Sequence, residues 1–181
     1  PEFYKKLQHL KVSIVPLAPN GYFSKKIQTF NNSVGYASQE AGGNLVVREQ
    51  WLENPAWQIM ILEDEGEEYA KICDYLLGGK SVFIPYLGKN DHPANIDKTQ
   101  EIKLGAPSHN YIDSLFIKNT DKMNGWQKEG EAPYLFQEIS PARLQKEYHF
   151  YEYETLIFTN YEVEHLPDNT FAHGEKNYAF I

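Results

Sequence analysis

Sulfur is scarce in this chain, which has one cysteine, Cys73, and two methionines in 181 residues. A lone thiol leaves no internal disulfide framework, and a reducing, cytoplasmic setting is the default reading. Long apolar runs are missing as well. None approaches the roughly 20 residues that a bilayer-spanning helix requires, so a membrane protein of that kind is excluded. There is no Walker loop, no dinucleotide glycine fingerprint and no serine-hydrolase elbow. His149, His165 and His173 are separated by 15 and 7 intervening residues, and Cys73 falls on an apolar helical face, so neither a metal nor a cofactor is expected. Positive charge is in short supply too. Against 25 Asp and Glu there are 17 Lys and Arg, a formal charge of −8 that, taken whole, argues against nucleic acid as a partner.

What is present is ordinary for a globular protein. The chain is 41% hydrophobic and 23% charged, enough to bury a core and too apolar for a disordered tail. The charge, however, is uneven. Residues 1–50 hold six basic and three acidic side chains (+3), and residues 51–181 hold the other 11 basic and 22 acidic ones (−11). A basic head on an acidic body removes the objection to nucleic acid for the first 50 residues and leaves it standing for the rest.

Periodicity divides the chain. Phe3, Leu7 and Leu10 recur at helical spacing from the first residues, so the chain is read as opening inside a helix at about 2–10, with an abrupt, trimmed start. Lys11–Leu17 reads as a strand stopped by Pro16 and Pro19, and Asn20-Gly21 as a turn. Tyr22–Ser38 is polar and aromatic without an apolar face, and leads to the Gly42-Gly43-Asn44 turn as a long, weakly apolar hairpin would. Leu45–Leu52 and Trp57–Leu62 are strand-like, and the second carries bulk on both faces, the pattern of a central strand buried on two sides. Tyr69, Ile72, Cys73, Leu76 and Leu77 define the clearest helix, which Gly78-Gly79 ends. Ser81–Ile84 then reads as a further strand. One strand placed before residue 1 would complete a β-α-β-β-α-β order, the ferredoxin-like split unit. Residues 1–87 therefore form one expected region, with a hairpin at about 20–43. Residues 88–181 form a second, loop and mostly β, with strands expected at Glu101–Leu104, Tyr111–Lys118, Tyr134–Ile139, Tyr148–Thr159 and Tyr161–His165, and a terminal strand at the apolar C-terminus. The overall fold class is α+β.

Two groups of residues carry candidate chemistry. Tyr22, Phe23, Lys25, Lys26, Phe30, Asn31 and Asn32 mix rings, cations and amides, a surface that can stack bases and pair phosphates; an amphipathic hairpin packed on the body reads the same way. Lys89-Asn90-Asp91-His92, between Gly88 and Pro93, offers a cation, an amide and a base suited to phosphate contact or acid–base work, or simply a polar turn. The tyrosines of 148–161 read most simply as sheet-face packing, although an exposed aromatic strip would suit a protein partner.

Three stretches together resemble a known family. They are Asn20-Gly21-Tyr22-Phe23-Ser24-Lys25-Lys26, then Thr29-Phe30-Asn31-Asn32-Ser33-Val34-Gly35-Tyr36-Ala37-Ser38, and then Gly42-Gly43-Asn44-Leu45-Val46-Val47-Arg48-Glu49-Gln50. With Tyr86-Leu87-Gly88-Lys89-Asn90-Asp91-His92-Pro93-Ala94, they are similar to the CRISPR-associated Cas-five family of RAMP proteins, in the form found in type I-B-like systems. The resemblance covers about residues 1–95. It implies a ferredoxin-like (RRM-like) core lacking its N-terminal strand here, with a β-hairpin thumb inserted where Tyr22–Gly43 stands and a strand-rich C-terminal extension. It also implies a subunit of the Cascade interference complex in antiviral defence, capping the backbone filament, touching the large subunit and holding the 5′ handle of the guide RNA. The RNA-binding set so implied is Tyr22, Phe23, Lys25, Lys26, Arg48, Lys89, Asn90 and His92.

Two features depart from the family. No glycine-rich loop is evident in 165–181, and the chain has no adjacent Lys-His pair, although relatives from type I-C systems cut precursor RNA with a tyrosine, lysine and histidine set. A non-catalytic RNA-binding subunit is therefore the leading expectation. A metal-independent endoribonuclease using Lys89 and His92 is the alternative, and a protein-assembly module with incidental RNA contact is the third reading.

Overall fold

The computed structural model describes residues 6–33, 35, 39–118, 123–148 and 150–181. Residues 2–5 of the helix read at about 2–10 lie outside these residues, as does part of the Tyr22–Ser38 stretch, and 7–9 of that reading are turn. In chain order the elements are β1 (Val12–Pro16), a 3-10 turn (Pro19–Gly21), β2 (Lys25–Asn31), β3 (Val46–Leu52), β4 (Trp57–Ile61), α1 (Glu67–Leu77), β5 (Phe116–Ile117), β6 (Met123–Gln127), β7 (Leu135–Leu144), β8 (Tyr151–Thr159), β9 (Tyr161–Val163), β10 (Thr170–His173) and β11 (Lys176–Ala179). The fold is α+β in the broad sense, rich in strands and with one helix among these elements. No helix among the described residues is long and apolar enough to cross a membrane. Two compact units result, one of Pro16–Gln58 and one of Pro1–Val15 with Ile59–Ile181.

Strands pair in small groups: β1 with β4, β2 with β3, β6 with β9, β10 with β11, and β5-β8-β7 in that order. Hydrogen bonds from Leu17 N–H to the Ala56 carbonyl (2.9 Å) and from Leu62 N–H to the Lys11 carbonyl (2.9 Å) mark the β1–β4 pair as antiparallel. The apolar C-terminus is explained by packing. Tyr178 and Phe180 join Val15 and Met60 in one buried cluster. Ala179, pointing the other way, joins Ile112, Phe116, Ile157 and Val163 in a second. The last strand is thus the seam between two halves of the core, tied to β1 by reciprocal Val12–Ile181 bonds of 3.1 and 2.9 Å.

The helix follows its local code. Glu67 and Glu68 occupy its first turn, where the dipole favours acids. Its end is a Schellman pattern, with Gly79 N–H donating to the Leu76 carbonyl (3.2 Å), Lys80 N–H to the Tyr75 carbonyl (2.8 Å), and Gly79 at φ 61. Tyr69, Ile72, Cys73 and Leu76 are half-buried, whereas Leu77, expected on the same face, is exposed. The Tyr69 hydroxyl bonds Cys73. That bond and burial push its phenol up to about 12.

Several expectations fail for physical reasons. Ser81–Ile84 forms no strand: Val82, Phe83 and Ile84 are bare, and among the described residues no neighbouring strand pairs with the run. β4 is not buried on two sides. It pairs with β1 alone, and Ile59 is 62% exposed. Glu101–Leu104 is irregular chain whose Ile102 and Leu104 pack on the first cluster without ladder bonds. Tyr111–Lys118 contributes only the two residues of β5. β6 was not foreseen, because Asn124 and Gly125 break its alternation. The hairpin was foreseen in kind and misplaced in extent, since Leu45–Leu52 supplies its return strand. Finally, the tyrosines at the start of β8 do not pack: Tyr151 and Tyr153 are each 60% exposed.

Candidate nucleic-acid interface

The β2–β3 ribbon pairs in unbroken antiparallel register from Lys25↔Leu52 to Asn31↔Val46. Residues opposite each other point the same way, so the register sorts side chains into two faces. One face holds Lys26, Gln28 and Phe30 with Val47, Glu49 and Trp51, and is half-buried apart from Lys26. The other holds Lys25, Ile27, Thr29 and Asn31 with Val46, Arg48, Gln50 and Leu52, and every one of these is exposed.

Charge follows the same division. The open face carries two cations and no acid. Glu49 lies on the opposite face, where its carboxylate accepts from Trp51 Nε1 at 2.9 Å. Lys25 and Arg48 stand four rungs apart, roughly 14 Å at about 3.4 Å per residue. Amide and hydroxyl groups fill the interval. The ribbon's far end is stapled by Asn31, whose Oδ1 accepts from Ser33 N (3.0 Å) and whose Nδ2 donates to Asn44 (2.9 Å). A flat, cationic, hydrogen-bonding face of this kind can meet a phosphate backbone.

The expected ring contributions fall elsewhere. Phe23 precedes β2 and sits edge-on to Trp57, with centroids 5.1 Å apart, so its ring already has a protein neighbour. Tyr22, at the end of the Pro19–Gly21 turn, is 53% exposed. Lys26 shares the half-buried face with Trp51, and so parts from Lys25 and Arg48.

Lys89, Asn90 and His92 lie in the other unit, on a turn closed by a Tyr86↔Pro93 bridge. Leu87 N–H donates to the His92 carbonyl (2.8 Å), and His92 N–H to the Lys89 carbonyl (3.0 Å). Gly88, at φ 79, supplies the left-handed residue this turn demands. Lys89 and His92 are half-buried, Asn90 is exposed at the tip, and exposed Asp91 offsets the one cation of the turn. The eight residues thus form two groups, five on or beside the ribbon and three on the turn.

Sequence reasoning missed Thr29 and Gln50 on the open face. Alternation from Lys25 to Asn31 would have found Thr29 had that run been read as a strand. It also missed a polar groove of about 560 Å³ lined by His109, Tyr111, Asp113, Lys128, Glu175 and Lys176, whose members are far apart in the chain. Asp113, Lys128 and His109 already have partners. Asp113 is bonded to Lys128 and accepts from Asn177 N–H at 3.0 Å. His109 Nδ1 accepts from Tyr111 N–H (3.2 Å) and Asn177 Nδ2 (2.9 Å), which leaves Nε2–H to donate to the Glu175 carbonyl (3.0 Å). Both ring nitrogens are used in fastening the 109–113 segment to residues 175–177. Among the described residues, no group of three or more His, Cys, Asp or Glu side chains is placed to hold a metal ion.

No protein-family model, curated protein or solved structure matches the chain.

Proposed function

We propose that this chain is a non-catalytic RNA-binding subunit of a type I CRISPR interference complex, holding the 5′ handle of the guide RNA through the open face of β2–β3. One observation carries the RNA reading: Lys25 and Arg48 stand on a fully exposed face with Thr29, Asn31 and Gln50, and no acidic side chain shares it. In a chain of net charge −8, such segregation gives a phosphate backbone a face to approach with no acid at contact distance on it. The family resemblance of residues 1–95 supplies the complex, the handle, and the backbone and large subunits as partners. It also supplies the finer fold reading, a ferredoxin-like core with β2–β3 as its thumb, which the antiparallel β1–β4 pair followed directly by α1 supports.

Electrophoretic titration of the whole chain with single-stranded repeat RNA tests the reading. Binding is expected to weaken with salt and to fall when Lys25 and Arg48 become alanine together. Unchanged affinity in that double variant would sink the assignment of the face.

A second reading rests on the turn that joins Lys89 and His92 through the 3.0 Å backbone bond. A cation and an imidazole three residues apart suit a metal-independent endoribonuclease. In that reaction a 2′-hydroxyl gives up its proton and attacks the adjacent phosphate, closing a 2′,3′-cyclic phosphate as the bond to the next nucleotide's 5′-oxygen breaks and that oxygen takes a proton. Repeat RNA incubated with the chain in EDTA decides it: a site-specific cut that disappears in His92→Ala supports this reading, and intact RNA removes it.

A further inference from the structure

His109 and His173 each bond a backbone carbonyl, and they respond to a second proton in opposite ways. His173 Nδ1 lies 3.0 Å from the Lys103 carbonyl, which can only accept, so Nδ1 carries the hydrogen. Its Nε2 is the nitrogen left to take a proton, and the bond survives. His109 is wired the other way round. Its Nε2 lies 3.0 Å from the Glu175 carbonyl and therefore carries the hydrogen. Its Nδ1 faces Tyr111 N–H at 3.2 Å, and a backbone N–H can only donate. Asn177 Nδ2 comes to the same nitrogen at 2.9 Å, its orientation fixed by the His109 and Tyr111 carbonyls at 2.9 and 3.0 Å. The neutral Nε2–H ring is thus held at both ends by backbone groups that cannot exchange roles.

The place of the ring decides what this holds. Glu175 lies in the two-residue turn between β10 and β11, where Gly174 has φ 62 and His173 stands opposite Lys176. The ring links that turn to the start of the 109–113 segment. Farther along, Asp113 N–H donates to the Asn177 carbonyl (2.7 Å) and Asn177 N–H to the Asp113 carboxylate (3.0 Å), bonds that need no imidazole.

We infer that His109 is an acid-released latch. A second proton, placed on Nδ1, turns an acceptor into a donor facing two donors. It frees the β10–β11 turn from residues 109–111 while the Asp113–Asn177 bonds stay shut. The charged groups lining the groove around the ring are Asp113 on its own segment, Lys128 just past β6, and Glu175 and Lys176 from the turn and β11. Asp113 already pairs with Lys128, and the Tyr111 ring lies 5.7 Å from the imidazole. Two acids and two cations leave the hydrogen bonds to decide which form of the ring is held. The sign follows from the geometry. The latch is closed while the ring is neutral, so its contribution to stability is present at neutral pH and lost as pH falls through the histidine range. It uses no residue of β2–β3, so it stands or falls apart from RNA binding.

Amide exchange and imidazole nitrogen shifts, followed by NMR on the whole chain, test this. A window from about pH 7.5 to about pH 5 spans the ordinary histidine value near 6.5 and stays above the ordinary carboxylate values near 4. At its upper end His109 should show the Nε2–H tautomer and His173 the Nδ1–H tautomer. Toward its lower end Tyr111 N–H should lose about tenfold in protection, corrected for the intrinsic rate, as His109 takes its proton, while Asp113 N–H stays protected. His109→Asn, whose amide oxygen can accept from Tyr111 and does not titrate, should abolish that loss, and His173→Asn should leave it in place. An Nδ1–H tautomer of His109 at neutral pH overturns the inference. So does a ring that protonates with Tyr111 still protected, a ring that stays neutral throughout, or a loss that persists in His109→Asn.

Discussion

The β2–β3 and β7–β8 ribbons share a topology and differ in where the register puts charge. In β2–β3 the half-buried face takes Phe30, Val47 and Trp51 and turns Glu49 inward, leaving cations and amides outside. In the outer part of β7–β8 the charges pair with one another on one face, and the bare face is aromatic. Period-two alternation governs both. Cations left on an open face suit a phosphate, whereas charges already matched on one face leave the other apolar.

The sharpest break in this comparison is one substitution made in each ribbon. Ile157→Ala at the root of β8 removes a side chain 1% exposed within the Ile112, Phe116 and Val163 cluster, and should cost about 2–5 kcal/mol in urea unfolding. Ile27→Ala in β2, 69% exposed, should stay within about 0.5 kcal/mol. Comparable losses at the two sites would show that the β2–β3 face is covered in solution.

A second measurement separates the ribbons by charge. Losing Lys25 and Arg48 together should flatten the slope of log affinity for single-stranded RNA against log salt by about 1.4, at roughly 0.7 per phosphate contact. Arg143→Ala should leave the slope alone, since Arg143 already holds two carboxylates. An equal effect from Arg143 would erase the distinction between a free and a matched cation face.

Much of the local structure was legible. The helix and its glycine stop, the Asn20-Gly21 turn, the Lys11–Leu17 strand and the apolar C-terminal strand follow from periodicity and turn chemistry, both written within a few residues. What was not legible depends on pairing. Ser81–Ile84 has strand composition, but a strand exists only where another backbone pairs with it, and among the described residues none does. The residues that became the open face were visible as types, yet Lys25 and Lys26 are neighbours in sequence and stand on opposite faces. Only the register with β3 reveals which of them joins Arg48. The groove at His109 was invisible for the same reason, its parts meeting across more than sixty residues.

The smallest expected effect lies at alkaline pH and again distinguishes the ribbons. Tyr134, at the root of β7–β8, has its phenol pushed up by burial first and then by the charges of Glu131 and Asp113. Tyr178 in the core is pushed up by burial and Asp113. The folded protein therefore favours both phenols in the neutral form. Their contribution is complete below the unfolded value of about 10 and is lost as pH rises through the higher folded values. Stability should fall with rising pH above that point, and Tyr134→Phe, which cannot ionise, should lessen the fall. Neither β2 nor β3 contains a tyrosine, so hydrogen exchange at alkaline pH should loosen the root of β7–β8 before β2–β3. The opposite order of loosening would mean that the buried phenols are not what holds that root.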